Sequence, residues 1–408
     1  MIRLLIQQNH SASEVYPSMK RNTKHKHTFI LLIFVALFLP VAHGADKPAK
    51  GSYLVYVGTY TGPESKGIYA FRFDLASGKS TSLELAGETT NPSFVAIDAS
   101  HRYLYTVNEV GDYKGEKSGG VSAFAIDRAT GKLTFLNEVS SHGADPCHLS
   151  FDKTGKYLLV ANYTGGSVAV FPVLADGRLG EASSVIQHSG HGPNAERQEG
   201  PHAHEIQTTA DNRFVVASDL GLDELLVYRF DAAKGVLTAN DPPFGKTEPG
   251  AGPRHFVFGP SEKFVYALNE IGGSVTSFAF DARTGGLQKL ETTSSLAKDY
   301  KGKNDSAEIV AEPAGKHLYA SNRGPDDIAV FDVDSHKGAL QLVEHVPTRG
   351  KAPRNFAIDP TGKYLFAANQ ESNNIVVFRI DPKTGRLTDT GQVIGAPAPV
   401  CLVFLSAE

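Results

Sequence analysis

Cysteine is nearly absent from this chain. Only Cys147 and Cys401 occur among 408 residues. That scarcity excludes a disulfide-stapled scaffold, and the lack of a C-x-x-C pair excludes a cysteine-based zinc or redox motif. Beyond the N-terminal region there is no long apolar run, so no other segment could cross a membrane as a helix. No G-x-S-x-G elbow is present and no nucleophilic serine stands out. An excess of positive charge is also missing. The 40 Lys and Arg stand against 44 Asp and Glu, a formal net charge of −4. Such a chain is a poor candidate for nucleic-acid binding.

The apolar run that does exist is Phe29 to Leu39. Lys20, Arg21, Lys24 and Lys26 precede it, and Ala42, Gly44 and Ala45 follow it. A basic region, a short apolar region and a small-residue site, in that order, form a secretory signal peptide. The expectation is cleavage near Gly44 and a periplasmic or secreted product with no membrane attachment. The basic region begins directly after Met19, which makes Met19 a candidate translation start. Residues 1–44 carry five Lys or Arg and one Glu, so their removal leaves a net charge of −8. Residues 45–50 read as a short linker, and 51–408 as one domain.

A repeat sets the expected fold. The pattern aromatic-x-apolar-Asp followed by a glycine turn recurs seven times. Its copies begin at Phe71, Phe124, Phe171, Tyr228, Phe278, Phe331 and Phe378. They lie 53, 47, 57, 50, 53 and 47 residues apart, and all but the third end in Asp. Each unit holds four short runs of β-branched and aromatic residues bounded by Gly, Asp and Asn, which read as strands joined by hairpins. The third unit shows them as Cys147–Asp152, Tyr157–Asn162, Ser167–Phe171 and the stretch after Gly177. Four antiparallel strands at a period near 50 describe a propeller blade. The predicted fold is therefore all-β, a seven-bladed β-propeller.

The two ends predict how the ring closes. Tyr53–Gly58 matches the second strand of a blade, and Pro399–Phe404 matches the first. The C-terminal strand should complete the blade that the N-terminal strands begin, removing a free edge. Cys147 and Cys401 then fall on inner strands of different blades and read as separate buried thiols.

In this fold the first strand of each blade lines a central channel. The polar residue at its start differs from blade to blade, as a single site shared by several blades would require. The relevant stretches are Pro146-Cys-His148, Pro201-His-Ala-His-Glu205, Pro253-Arg-His255, Ser306-Ala-Glu308 and Pro353-Arg354. They place His148, His204, Glu205, His255, Glu308 and Arg354 as candidate substrate-binding residues. The second strands end in Asn108-Glu109, Asn162-Tyr163, Ser218-Asp219, Asn269-Glu270, Asn322-Arg323 and Asn369-Gln370.

Gly200-Pro-His202, Gly252-Pro-Arg-His255, Leu268-Asn-Glu270, Ser321-Asn-Arg323 and Pro353-Arg-Asn-Phe356, in this order on this repeat, carry a resemblance. Residues 51–408 resemble the seven-bladed lactonase family, which includes 6-phosphogluconolactonases of the propeller type and carboxymuconate cyclases. The resemblance implies a catalytic set of His202, Arg254, Glu270 and Arg323, no cofactor and no resident metal. Its substrate would be a small sugar lactone.

Such a set suits lactone hydrolysis. A base, His202 or Glu270, would activate water, and an arginine would stabilise the oxyanion. The second arginine would hold an anionic group of the substrate. Without a nucleophilic serine, direct attack by water is expected. Export favours glucono-1,5-lactone over its 6-phosphate. His202-x-His204 on one strand face also admits a zinc reading, although no third ligand stands at a fixed spacing. Two other functions fit the same frame. One is a cycloisomerase of muconate-type dicarboxylates. The other is a non-catalytic propeller that binds partners through Asp112–Ser118, His188–Glu199 and Ala297–Asp305, loops that could equally form a lid.

Overall fold

The computed structural model of the protein describes residues 51–406. The signal-peptide segment, the linker and the Met19 start lie outside the described residues. Seven antiparallel sheets follow one another along the chain. Blade 1 combines Pro399–Ser406, Ser52–Thr59 and Gly67–Asp74, with Lys79–Ser80 and Glu84–Glu88 sharing its outer position. Blades 2 to 7 each contain four strands. Their inner strands are Val95–Ile97, Pro146–Phe151, Ala203–Thr208, Pro253–Phe258, Asp305–Ala311 and Pro353–Ile358.

Packing between neighbouring blades makes the ring. Among the described residues, seven apolar clusters each join two adjacent blades. Strand periodicity explains this, because successive side chains point to opposite faces of a sheet. In Ser52–Thr59, Leu54 and Tyr56 pack against blade 2, whereas Val55 and Val57 pack against blade 7. A sheet covered on both faces needs continuous apolar runs, which is why Leu158-Leu-Val-Ala161 is not an alternating sequence. All four of those residues are buried.

Closure follows the predicted route. Pro399–Ser406 pairs antiparallel with Ser52–Thr59, so one blade holds both ends of the domain. This velcro removes the free inner edge of blade 1. The repeated Asp also acts as read from sequence. In blade 2, Asp127 accepts from the Ala129 and Thr130 amides, and Gly131 completes the turn at φ 78°.

Candidate active site

Two backbone devices place polar side chains at one mouth of the channel. The first is a β-bulge near the start of the inner strands. In blade 3, Ala161 pairs with His148 and Asn162 with Pro146, leaving Cys147 as the extra residue. The same offset isolates His204 in blade 4, Arg254 in blade 5 and Arg354 in blade 7. A bulge re-aims one side chain out of the pleat. The next residues along, His148, Glu205, His255, Glu308 and Asn355, form a second layer one step deeper in the channel.

The second device is a cap at the end of each second strand. The Asn162 amide donates to Ser141 O and Ser167 Oγ, and the Asn322 amide to Ser295 O and Asp327 Oδ1. Thr59 in blade 1 and Asp219 in blade 4 stand at the corresponding position. The residue after each cap is then free to face the mouth. In blades 1, 2, 3, 5 and 6 it is Tyr60, Glu109, Tyr163, Glu270 and Arg323.

These residues line one cavity of about 380 Å³ with Cys147, Arg197, His204, Asp305 and Arg354. Every blade contributes, and the volume lies in the range of small-molecule sites. Glu270 is its electrostatic centre. Arg254 Nε lies 2.9 Å and Arg323 Nη2 3.0 Å from Glu270 Oε2, and Arg197 donates to Oε1. Burial opposes ionisation of this carboxyl, but the three guanidiniums outweigh it and hold its pKa at about 2. Arg323 Nη2 and Arg254 Nε are buried and, although close to Glu270, make no aligned hydrogen bond. Burial lowers the Arg323 pKa to about 10, so it stays cationic at neutral pH.

Arg254 stands behind this wall. It does not line the cavity, and its Nη1 donates to Ala307 O at 2.6 Å. On the other side of the mouth, Arg354 sits over the Tyr60 ring, 5.3 Å from its centroid. Tyr60 donates its hydroxyl to Glu109 Oε1 at 2.7 Å, and Arg354 Nη2 lies 3.8 Å from the same oxygen.

The histidine at the mouth is His204. The Pro201-His202 dipeptide looks equivalent to Pro253-Arg254, but the inner strand of blade 4 begins at Ala203, and the bulge falls on His204. His202 lies before the strand. Its ring stacks on Tyr163, Nδ1 is 3.1 Å from Tyr163 O, and Nε2 is 3.1 Å from Glu199 Oε1. His204 instead packs beside Cys147, with Nδ1 3.7 Å from Sγ. The two rings therefore do not converge on a common point. Among the described residues, no group of three or more His, Cys, Asp or Glu is placed to hold a metal ion.

His148, Glu205, His255 and Glu308, substrate-binding candidates from the sequence, do not line this cavity. They occupy the deeper layer, where His255 Nδ1 contacts Glu308 Oε1 at 3.0 Å and His148 Nε2 lies 3.5 Å from Glu205 Oε1. Burial holds His148, His204 and His255 well below the usual histidine range. Burial likewise raises the carboxyls, Glu205 to about 8 and Glu308 to about 7. Glu308 also reaches the opposite mouth, an open apolar bowl with Cys401 in its wall. Both cysteines are free and buried.

Sequence reasoning did not single out Tyr60, Glu109, Tyr163, Asp305 or Arg197. For Glu109 and Tyr163 the signal was present, since both follow an Asn cap. Arg197 had none. It belongs to the loop 188–199, which folds over the mouth so that Arg197 reaches Glu270 and Asp305.

Comparison with known proteins agrees with this architecture. The family model described as "Lactonase, 7-bladed beta-propeller" matches residues 54–404. The chain belongs to the seven-bladed β-propeller lactonase family. It is 40% identical over 353 residues to a 6-phosphogluconolactonase of Bacillus subtilis, covering 86% of this chain and 98% of that protein. A 6-phosphogluconolactonase of Formosa agariphila is 36% identical over 309 residues, 75% of this chain and 86% of its own length. Among solved structures, the periplasmic gluconolactonase of Pseudomonas aeruginosa superposes with a TM-score of 0.82. It is 35% identical, with 88% of this chain and all of that one covered. With these lactonases as relatives, the chain is a lactone-hydrolysing enzyme, a hydrolase of carboxylic esters.

Proposed function

We propose that this lactonase hydrolyses an uncharged sugar lactone of the glucono-1,5-lactone type, by direct attack of water in the Glu270–Arg323 cavity. One observation carries the reading. Arg197, Arg323 and Arg354 converge on a single mouth, and Arg323 Nη2, buried there 3.0 Å from Glu270 Oε2, makes no aligned hydrogen bond. A preorganised guanidinium donor in a low-dielectric cleft suits the oxyanion of a tetrahedral intermediate. Arg354 flanks the same space, while Arg254 acts behind Glu270 to hold the ionised carboxylate in place.

Charge balance supports a neutral substrate. Four guanidiniums, counting Arg254, face the carboxylates of Glu109, Glu270 and Asp305, leaving one net positive charge. One developing oxyanion would neutralise it, whereas a phosphate dianion would overload it. Export of the chain fits the same choice, because an unphosphorylated lactone can arise outside the cytoplasm. The relative of known structure in Pseudomonas aeruginosa carries the description periplasmic gluconolactonase.

The test is the hydrolysis rate of glucono-1,5-lactone, above the spontaneous rate, beside that of the 6-phospholactone. An Arg323→Ala variant and a chelator-treated sample complete the set. The expectation is turnover of the neutral lactone that survives chelation and falls at least 100-fold in the variant. A tenfold or greater preference for the phosphorylated lactone overturns the substrate assignment. Full activity in the variant overturns the role of Arg323.

A further inference from the structure

Direct attack on a lactone needs a group that takes a proton from water, and the cavity limits the choice. Glu270 is a poor base, because three guanidiniums hold its oxygens and keep it ionised far below neutral pH. His202 has both ring nitrogens occupied outside the cavity lining. His204 faces the Cys147 thiol, and burial depresses its basicity. Asp305 sits at the rim, paired with Arg197.

Glu109 differs from all four. Its Oε2 is buried and has no hydrogen-bond partner, while Oε1 is fixed by the Tyr60 hydroxyl. Its backbone is clamped at both ends by Asn91. The Glu109 amide donates to Asn91 O at 3.0 Å, and Asn91 Nδ2 donates to Glu109 O at 3.0 Å. Blade order puts this carboxylate across the ring from Arg323, with Arg354 between the two. A water beside Oε2 would therefore face a carbonyl whose oxygen points to the guanidiniums. Glu109 as base and Arg323 as oxyanion donor on opposite sides of one reacting carbon form the arrangement that acyl hydrolysis requires, while Arg354 lies on the base's side, 3.8 Å from Glu109 Oε1.

We propose that Glu109 is the general base of the lactonase, a role that rests on the hydrolytic reading above. Oε2 takes one proton as the water oxygen bonds to the lactone carbonyl carbon. The carbonyl electrons move onto its oxygen, which Arg323 stabilises. When the intermediate collapses, the bond from that carbon to the ring oxygen breaks, and Glu109 returns its proton to the departing alkoxide. The product is a hydroxy acid, which releases its carboxyl proton to solvent, and Glu109 is ionised again. Tyr60 is a positioning residue that holds the carboxylate by its other oxygen.

The experiment compares wild type, Glu109→Gln and Glu109→Ala on glucono-1,5-lactone, with melting temperatures as a folding control. The amide of Glu109→Gln preserves an acceptor for Tyr60, so this variant should fold. Its kcat is expected to fall about 10²–10⁴-fold with KM changed less than threefold. Added formate, small enough for the space left in Glu109→Ala, should restore part of kcat, which no purely structural role would allow. A Glu109→Gln enzyme that keeps more than a tenth of wild-type kcat overturns the proposal. So does a loss confined to KM, or a folded Glu109→Ala enzyme that formate leaves unchanged. Those results would leave a lactonase with another base. A wild-type protein inactive on every lactone tried would remove the hydrolytic reading as well.

Discussion

Replacing Glu270 by glutamine should cost stability by an amount that the electrostatics of the mouth fix. The carboxyl titrates at about 2 in the fold, against an ordinary value of 4.5. A depressed acid stabilises the folded state above its unfolded pKa, and that stabilisation is lost as pH falls towards the folded value. The shift corresponds to about 3 kcal/mol at neutral pH. Removing one partner from a buried ion pair gives a similar figure, about 3–5 kcal/mol, because the other charges stay buried. Screening by solvent is weak, since only 6% of the Glu270 side chain is exposed. With an unfolding entropy of about 2.1 cal/mol/K per residue, a domain of this size should lose about 4–5 °C in Tm. Differential scanning calorimetry of wild type and Glu270→Gln at pH 7, 4.5 and 3.5 would measure it. The gap should be largest at pH 7 and shrink below pH 4.5. A gap under about 1 °C at pH 7, or one that does not change with pH, would refute the three-guanidinium account.

The deeper layer, together with His204 at the mouth, should give the domain a stability maximum near pH 6.5. Above it, Glu205 and Glu308 keep protons that the unfolded chain has released, because their folded values are raised to about 8 and about 7, so Tm should fall as pH rises to about 8. Below it, the depressed imidazoles of His148, His204 and His255 stay neutral while the unfolded chain gains protons, so Tm should fall again. A Glu205→Gln, Glu308→Gln double variant should lose the alkaline decline, and a wild-type profile flat from pH 6.5 to 8.5 would contradict the assignment. Burial raises the thiol pKa of both Cys147 and Cys401, so iodoacetamide at pH 8 should label neither until denaturant is added. Gly252→Ala should cost about 1–3 kcal/mol, because Gly252 has φ 64° and an added Cβ would lie 2.9 Å from Ile271 Cδ1. A melting temperature unchanged within 1 °C would show that the turn before Arg254 tolerates a side chain.

The ring was legible because its signal is redundant. Seven copies of one pattern report the same blade, and the closing strand is visible as a first strand stranded at the wrong end of the chain. The site was only partly legible, and blade 4 shows why. Sequence alignment of the blades rests on the proline near the start of every inner strand but that of blade 6. In blades 2, 3, 5, 7 and 1 that proline follows a residue with positive φ, namely Asn91, Asp145, Gly252, Ala352 and Ala398. Gly200 before Pro201 is not among the positive-φ residues, so Pro201 belongs to a different turn. The true match to Pro253-Arg254-His255 is Ala203-His204-Glu205, two residues later. A shift of two keeps the same strand face. His202 and His204 therefore pass the same periodicity test, and only the hydrogen-bond register separates them. The opposite situation holds for Glu109. Its position after the Asn108 cap is the position of Glu270 and Arg323, so its place at the mouth was readable. Its chemistry was not, because a free carboxylate oxygen depends on which cations the other blades supply. Three of the four arginines surround Glu270, and the fourth leans on Tyr60. That unequal division leaves Glu270 locked among cations drawn from blades 5 and 6 and the loop 188–199, whereas Glu109 Oε2 has no hydrogen-bond partner.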